Sequence, residues 1–286
     1  MTHIGLYVNV DNPRAAEAIR RLAACAAAQG VTLVAWGETA SFLKRLNHPF
    51  LQGNAMEADA LLVLGGDGTM LRAVRETITA RRPVMGVNMG SLGFLTGVSE
   101  QELDHAVACL ARGAVIESPR TLAEVQVFRQ GRTLERALCL NDVVLRNGDS
   151  ARIVTLEIRV DEGTAAPITG DGIIIATPTG STGHSLSAGG PILHPACPAF
   201  VATFICAHAL AARPLVIPDS STITLRIVHC AGEVRLIADG QSALALEAGD
   251  EVRVIKAAET ARFIYPPEHD FLGILRAKLR WQGSSV

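Results

Sequence analysis

Apolar positions in the N-terminal part of the chain alternate between two periods. His3 to Val10 is a run rich in β-branched residues and predicts a strand; Asn12-Pro13 follows as an N-cap and first helical residue. Ala16, Ile19, Leu22, Ala23 and Ala26 then recur at helical spacing up to Gly30. Val31 to Trp36 predicts a second strand. Ala60 to Leu64 is continuously apolar, as in a strand covered on both faces of a parallel sheet. A helix follows with Met70, Leu71, Val74 and Ile78 on one side, and Pro83 to Val87 predicts the next strand. Ser99 and Glu102 form a capping box for a helix running to Arg112. Serial strand–helix–strand units predict a doubly wound α/β domain over residues 1–118.

The pattern changes near Pro119. Short alternating segments predominate from Thr121 to Tyr265: Ala123 to Arg129, Ile153 to Val160, Thr222 to Val228, Glu233 to Ala238 and Glu251 to Ile255. Turn residues separate them and helical periodicity is largely absent, which predicts an all-β second domain over 119–266. Asp270 is placed to cap a terminal helix with Phe271, Leu272, Leu275 and Leu279 on one face, within a C-terminal segment 267–286. No internal repeat or low-complexity tract interrupts this plan.

Composition narrows the classes. Of 286 residues, 49% are apolar and 19% charged, which excludes intrinsic disorder. Lys plus Arg number 26 against 28 Asp plus Glu, so no global basic field draws the chain to nucleic acid or an anionic membrane. The start lacks a basic region followed by a long apolar one, and Ala199 to Ala212, interrupted by Thr203 and His208, is too short to span a bilayer. The six cysteines show no C-x-x-C pair, so the expectation is buried free thiols in a reducing cytoplasm.

Gly65-Gly66-Asp67-Gly68-Thr69 stands where the buried strand meets a helix start. Glycines there allow positive φ and let a ligand approach the backbone, while free N–H groups at a helix N-terminus favour phosphate oxygens. A carboxylate beside phosphates is repelled unless it holds Mg²⁺ or accepts a proton from an attacking hydroxyl. The blander reading is a tight turn with a solvated Asp67. The Gly-Lys of a P-loop, G-x-G-x-x-G, G-x-S-x-G and H-E-x-x-H are all absent, which removes the commonest nucleotide, hydrolase and zinc-protease signatures.

A second constellation begins with Thr169-Gly170-Asp171-Gly172, continues through the apolar strand Ile173 to Ala176, and runs from Thr177 to Pro191. So much Gly, Ser and Thr after a strand predicts a backbone-rich, hydroxyl-lined loop suited to a polyhydroxylated, phosphorylated ligand; as a mere surface loop it would be unusually long. Asn88 to Thr96 follows another strand and could wall the same cleft. Asn141-Asp142 precedes an apolar strand; amide plus carboxylate suits ribose hydroxyls or a carboxamide, and is equally a common turn. His208 reads as a core histidine, Arg213 as a strand-leading arginine, and His194 is ambiguous.

Together these segments resemble the NAD kinase family. The tetrad with Thr69, Asn88-x-Gly90-x-Leu92-Gly93-Phe94-Leu95-Thr96, Asn141-Asp142, Asp171-Gly172 through Pro191, His208 to Pro214 and Asp239-Gly240-Gln241 fall in family order, over about residues 58 to 282. The tetrad is shared with lipid kinases and phosphofructokinases; the long glycine-rich run and the Asn-Asp pair single out NAD kinases. The resemblance implies a C-terminal β-sandwich that binds NAD and a chain end returning to the first domain. It also implies transfer of the ATP γ-phosphoryl, with Mg²⁺, to the 2′-hydroxyl of the adenosine ribose of NAD, in a homodimer or homotetramer.

By the same resemblance Asp67 is the catalytic proton acceptor. Gly65, Gly66, Gly68 and Arg72 lie by the phosphates, and Asn88 lies in the adjoining loop. Asn141 and Asp142 hold NAD; Arg152, Thr169, Asp171, Thr182, Gly183, His184, Ser185, Leu186, Ser187 and Gln241 match further ligand positions. No side chain is assigned as a metal ligand. The chain departs from the family pattern at Thr169, where Arg is usual, at Gly183-His184, where Ala-Tyr is common, at Ala209 and Ala211, where hydroxyl residues are frequent, and at Asp142, where Glu is more frequent. The alternatives are a same-fold kinase acting on another acceptor, a nucleoside or lipid, and a noncatalytic nucleotide sensor.

Overall fold

The structure, a computed structural model, describes residues 1–91, 93–148, 153–165, 167–240 and 242–281. The chain forms two compact units: Met1–Pro119 together with the stretch beginning at Ala261, and Arg120–Thr260.

The first unit holds β1 (His3–Val8), β2 (Thr32–Ala35), β3 (Leu51–Gln52), β4 (Ala60–Gly65), β5 (Val84–Asn88) and β6 (Val98–Ser99). They pair in parallel in the order β5-β4-β1-β2-β3, with β6 on the end of β5. Helices α1 (Ala15–Ala28), α2 (Gly37–Arg45) and α3 (Asp67–Thr77) connect them, and α4 (Leu103–Arg112) follows β6. Ile4, Leu6, Leu62 and Leu64 share one core with Ile19 and Leu22 of α1, Leu43 of α2 and Val107 of α4. Strand alternation turns Tyr7 to the other face, where its hydroxyl meets Glu76 of α3. The chain runs outward from β1 through β2 and in the opposite sense from β4 through β5. The carboxyl ends of β1 and β4 therefore flank the crevice where open α/β sheets take their ligands.

Local signals account for most boundaries. The Ser99–Glu102 capping box is formed, with Glu102 accepting the Ser99 backbone N–H at 2.9 Å. Asn12 does not cap α1. Its Oδ1 accepts the Arg14 N–H at 2.9 Å in a turn that delays the helix to Ala15. The strand before it ends at Val8, short of Val10. Helix α2 lacks a long apolar stripe in the sequence; it buries only Thr39, Ala40 and Leu43.

The second unit begins in β7 (Ile116–Arg129), followed by β8 (Arg132–Cys139), β9 (Asp142–Asn147), β10 (Val154–Val160), β11 (Gly163–Thr164), β12 (Ile168–Gly170) and β13 (Gly172–Ala176). After the short α5 (His184–Ser187) come β14 (Ala199–Ile205), β15 (Leu215–Pro218), β16 (Ile223–Cys230), β17 (Val234–Ala238), β18 (Ser242–Leu246) and β19 (Glu251–Tyr265). One antiparallel layer runs β15-β14-β13-β9-β17-β18; β10 and β16, with β19 and the β7–β8 hairpin, supply the other. Val143, Leu145, Ile173, Ile175 and Phe200 of the first layer meet Val125, Leu156, Ile158, Leu225, Ile227 and Val252 of the second in one core. The unit is a mostly-β sandwich, because period-two strands with one apolar face can bury it only against another sheet.

Strand β19 carries the chain back: its Phe263 pairs in parallel with Val84 of β5, and Phe263, Ile264 and Tyr265 are buried. Asp270 caps α6 (Phe271–Leu279) by accepting the Leu272 N–H at 3.0 Å. The buried side chains of α6 are Ile274 and Leu275, whereas Leu272 is 64% exposed, so the stripe is rotated from the expected face. The cysteines are unpaired, but only Cys109 and Cys139 are buried; Cys206 is exposed. No helix among the described residues is long and apolar enough to cross a membrane.

Candidate active site

Asp67 is the first residue of α3, directly after the carboxyl end of β4. Its carboxylate turns to the loop after β5 and accepts the backbone N–H groups of Phe94 at 2.9 Å and Leu95 at 3.0 Å, with Thr96 at 3.4 Å. Gly93 makes this approach possible, since a Cβ there would overlap the Asp67 carboxylate. Gly65 serves likewise, its missing Cβ leaving room for Thr69. The tetrad glycines do not adopt positive φ as expected; close packing is the use of Gly65, while Gly66 and Gly68 leave open space beside the helix start. Gly66 is the N-cap position, and Gly68 is exposed with open space where a side chain would stand. Four backbone N–H groups at a helix start have no partner within the helix, which gives this end its affinity for anions.

Asn88 shapes the loop from inside. It is buried, its amide donates to Thr96 Oγ1 at 2.8 Å, and its Oδ1 accepts the Gly90 N–H at 2.6 Å. Arg72 lies one turn along α3 and half-exposed, its Nε bonded to Glu76 at 3.0 Å and its second arm 3.5 Å from Glu38. Among the described residues of this unit, Asp67, Asn88 and the tetrad glycines thus gather at one sheet edge.

The second unit builds another polar centre. Asp239, in the left-handed region at φ 48°, accepts the backbone N–H groups of Leu140 (2.8 Å), Asn141 (2.7 Å) and Asp142 (3.1 Å). The Asp142 side chain is buried beside it. Burial, reinforced by the Asp239 charge, pushes its carboxyl up to about 7, so near neutrality it can donate as well as accept. Burial also pushes the neighbouring Cys139 thiol well up, leaving it inert. Asn141 Oδ1 and Thr179 Oγ1 are buried without a hydrogen-bond partner, the condition of groups that await a ligand or water. Gly180 lies against the Asn141 backbone, and the Thr177 N–H donates to the Asn141 carbonyl at 2.8 Å.

The hydroxyl-rich loop differs from expectation. Ser181 and Ser185 are fully buried and brace the loop: Ser181 donates to the Pro178 carbonyl at 2.7 Å and accepts from Leu193 N–H at 2.9 Å, while Ser185 pairs with Thr203 at 2.8 Å. A loop this long must satisfy its own backbone, and short hydroxyl side chains do so locally. Half-buried Thr182 bonds back to Thr179, and Ser187 to Gly183 at 3.5 Å. His184 is exposed; Leu186 and Gly183 are half-buried. Thr169 pairs across strands with Thr155 at 2.9 Å, and exposed Asp171 lies by Cys206, whose thiol it raises. Arg152 and Gln241 lie outside the described residues.

Of three further positions, only the first differs from the reading of the sequence. His208 is exposed rather than a core residue. Arg213 folds onto the carbonyls of Leu210 and Ala212, and His194 Nδ1 accepts the Ala196 N–H. The residue that sequence reasoning left without a role is Asp239; an Asp-Gly before an apolar strand is a turn signal, but its partners lie nearly a hundred positions away.

The model of the ATP-NAD kinase N-terminal domain matches residues 4–115, and that of the ATP-NAD kinase C-terminal domain matches residues 140–265. The chain belongs to the NAD kinase family. It is therefore a kinase, an enzyme. An NAD kinase of Syntrophotalea carbinolica is 38% identical over 98% of this chain and 99% of its own length, and one of Symbiobacterium thermophilum is 40% identical over 98% and 99%. Among solved structures, yeast NADH kinase complexed with NADH aligns at a TM-score of 0.89 and 27% identity, over 99% of this chain and 89% of that one. An NAD kinase from Archaeoglobus fulgidus in complex with ATP shares the fold at a TM-score of 0.75 and 23% identity, over 99% and 100%.

Proposed function

We propose that this NAD kinase family member transfers the γ-phosphoryl of ATP to the 2′-hydroxyl of the adenosine ribose of NAD, forming NADP in the cytoplasm as a homodimer or homotetramer. The observation that carries the reading is Asp67: a carboxylate fixed by backbone N–H groups at the start of a helix whose free amides suit phosphates. Three of its four bonds from the loop fall on Oδ1 and only the Phe94 N–H reaches Oδ2, so that oxygen keeps acceptor capacity for a hydroxyl. Asp67 orients the 2′-hydroxyl and takes its proton as the phosphoryl transfers, a contribution of about 10²- to 10⁴-fold. Gly65, Gly66 and Gly68 leave the helix start bare to the phosphates. Arg72 exchanges Glu38 and Glu76 for phosphate oxygens, and positioning supplies most of the remaining rate.

In the second unit, Asn141 offers its unpartnered amide oxygen and Asp142 its protonatable carboxyl to the dinucleotide's hydroxyl or carboxamide groups. Asp171, Thr169, Asn88 and the stretch Thr182 to Ser187, with Gly183 and His184, complete the reading as ligand or loop-shaping positions. Among the described residues no group of three or more His, Cys, Asp or Glu could hold a metal. That donor set fits Mg²⁺ carried on the donor's phosphates and water, without a protein cage of its own. When bound, it neutralises phosphate charge.

The test is purified protein with ATP, Mg²⁺ and NAD or NADH, scoring NADP or NADPH with a cycling dehydrogenase. Product lost in Asp67→Asn, with NAD still bound, is expected. Undiminished turnover in that variant would remove the proton-acceptor role, and no product from either acceptor would remove the reaction itself.

A further inference from the structure

Asp67 takes its orientation from the loop after β5. The Phe94 N–H donates to Oδ2 at 2.9 Å, whereas Leu95 and Thr96 donate to Oδ1. The place of the Phe94 peptide therefore sets how the carboxylate is turned and where Oδ2, the oxygen with acceptor capacity to spare, is directed. Whatever steadies Phe94 also steadies the aim of Asp67.

The end of the chain meets this loop at two points, all within the first unit. At the far end, Tyr265 is fully buried and stacks on His269, with ring centres 3.7 Å apart and planes within 5°. Gly97 lies against this pair, since a Cβ there would come within 2.7 Å of the Tyr265 ring and 2.8 Å of the His269 ring. Close-packed rings cannot turn aside as a flexible side chain can, so packing fixes the Gly97 end. Phe94, by contrast, is half-buried and meets a cation: the Lys278 ammonium of α6 lies 5.5 Å from the centre of its ring. Lys278 stands four residues after Ile274 and three after Leu275, the two buried side chains of α6, and so shares the face that anchors the helix. An anchored cation over the face of an aromatic ring attracts it.

We infer that Lys278 is a positioning residue for Asp67: it holds the Phe94 ring from the last helix of the chain, and Phe94 in turn holds Oδ2. This role rests on the reading of Asp67 as proton acceptor and goes further, because it makes the returning C-terminal helix part of the apparatus that aims the acid. Lys278 acts through the loop and not on the substrate, so its loss should slow turnover without weakening binding.

The experiment has two arms. In steady-state kinetics, Lys278→Met keeps the stem and removes the charge. It lowers kcat for NADP formation about two- to fivefold, the equivalent of about 0.5–1 kcal/mol for an exposed cation–π contact, and leaves KM for ATP and NAD unchanged. Lys278→Arg, which keeps a cation for the ring, restores kcat. In a Phe94→Leu background Lys278→Met has no further effect, because the ring it acts through is gone. In the second arm, hydrogen exchange read by mass spectrometry shows the Gly93–Gly97 peptide of Lys278→Met exchanging about two- to fivefold faster than in the native protein, by the same equivalence. Unchanged kcat or unchanged exchange in Lys278→Met, no recovery in Lys278→Arg, or an equal fall in kcat in the Phe94→Leu background overturns the role. Phe94→Leu alone carries the same expectations for kcat and exchange if Lys278→Met fails to fold. If the native enzyme phosphorylates neither NAD nor NADH, the proposed reaction falls, while the exchange measurement still decides whether Lys278 holds the loop.

Discussion

Asp67 and Asp239 make the same contact in different settings. Each carboxylate gathers the backbone N–H groups of three consecutive residues, Phe94 to Thr96 for Asp67 and Leu140 to Asp142 for Asp239. Asp67 is half-buried at a helix start, and there the loop holds the acid. Asp239 is 9% exposed in a turn, and there the acid holds the loop, its charge adding to burial in keeping the Asp142 proton on. One hydrogen-bond pattern thus leaves a carboxylate half-open to solvent in one unit and buries one in the other.

Breaking each carboxylate separates the two roles. Asp67→Asn is expected to lower NADP formation by about 10²- to 10⁴-fold with little change in melting temperature. Asp239→Asn should instead destabilise the fold by about 2 kcal/mol, because bonds to a charged acceptor are replaced by bonds to a neutral one. It should also raise KM for NAD more than it lowers kcat. Thermal melts and kinetics on the same preparations distinguish the patterns; equal loss of kcat in both variants would erase the contrast.

The glycines opposite each centre sharpen it. Gly93→Ala pushes against the ends of two side chains, the Asp67 carboxylate and the Thr96 hydroxyl, so activity should fall by more than stability. Gly180→Ala meets the Asn141 backbone, which cannot turn away, and should cost about 1–3 kcal/mol of stability in a denaturant titration.

The smallest effect concerns pH. Asp142 binds its proton more tightly in the native than in the unfolded state, so between about pH 4 and 7 the native state carries the excess proton and stability declines as pH rises. Asp142→Asn lacks this term. Its melting temperature relative to the native protein should therefore rise from pH 5 to pH 8, and a flat difference would show that Asp142 is not held protonated.

The legible part of the molecule was local. The Ala60–Leu64 run, the tetrad behind it and the Ser99–Glu102 box each announce a strand, a turn or a cap through neighbours a few positions apart. Helix α2 was not legible, since three small or lone apolar positions give no stripe. The serines of the Thr177–Pro191 loop promised ligand donors, but a side chain's composition does not say whether it faces a ligand or its own backbone; Ser181 and Ser185 face inward. The role of Asp239 depends on partners brought together only by the pairing of β17 with β9. The orphaned Asn141 Oδ1 is visible only once burial is known.

The return of the chain in β19 sets an order of events during synthesis. Phe263, Ile264 and Tyr265 supply buried side chains to the first unit, yet all of Arg120–Thr260 is made before them. At roughly 5–20 residues per second, the nascent N-terminal sheet waits on the order of ten seconds for its last partner strand beside β5. Through that interval the ribosome-bound chain exposes an open parallel edge, and the unit encoded second is the first able to close.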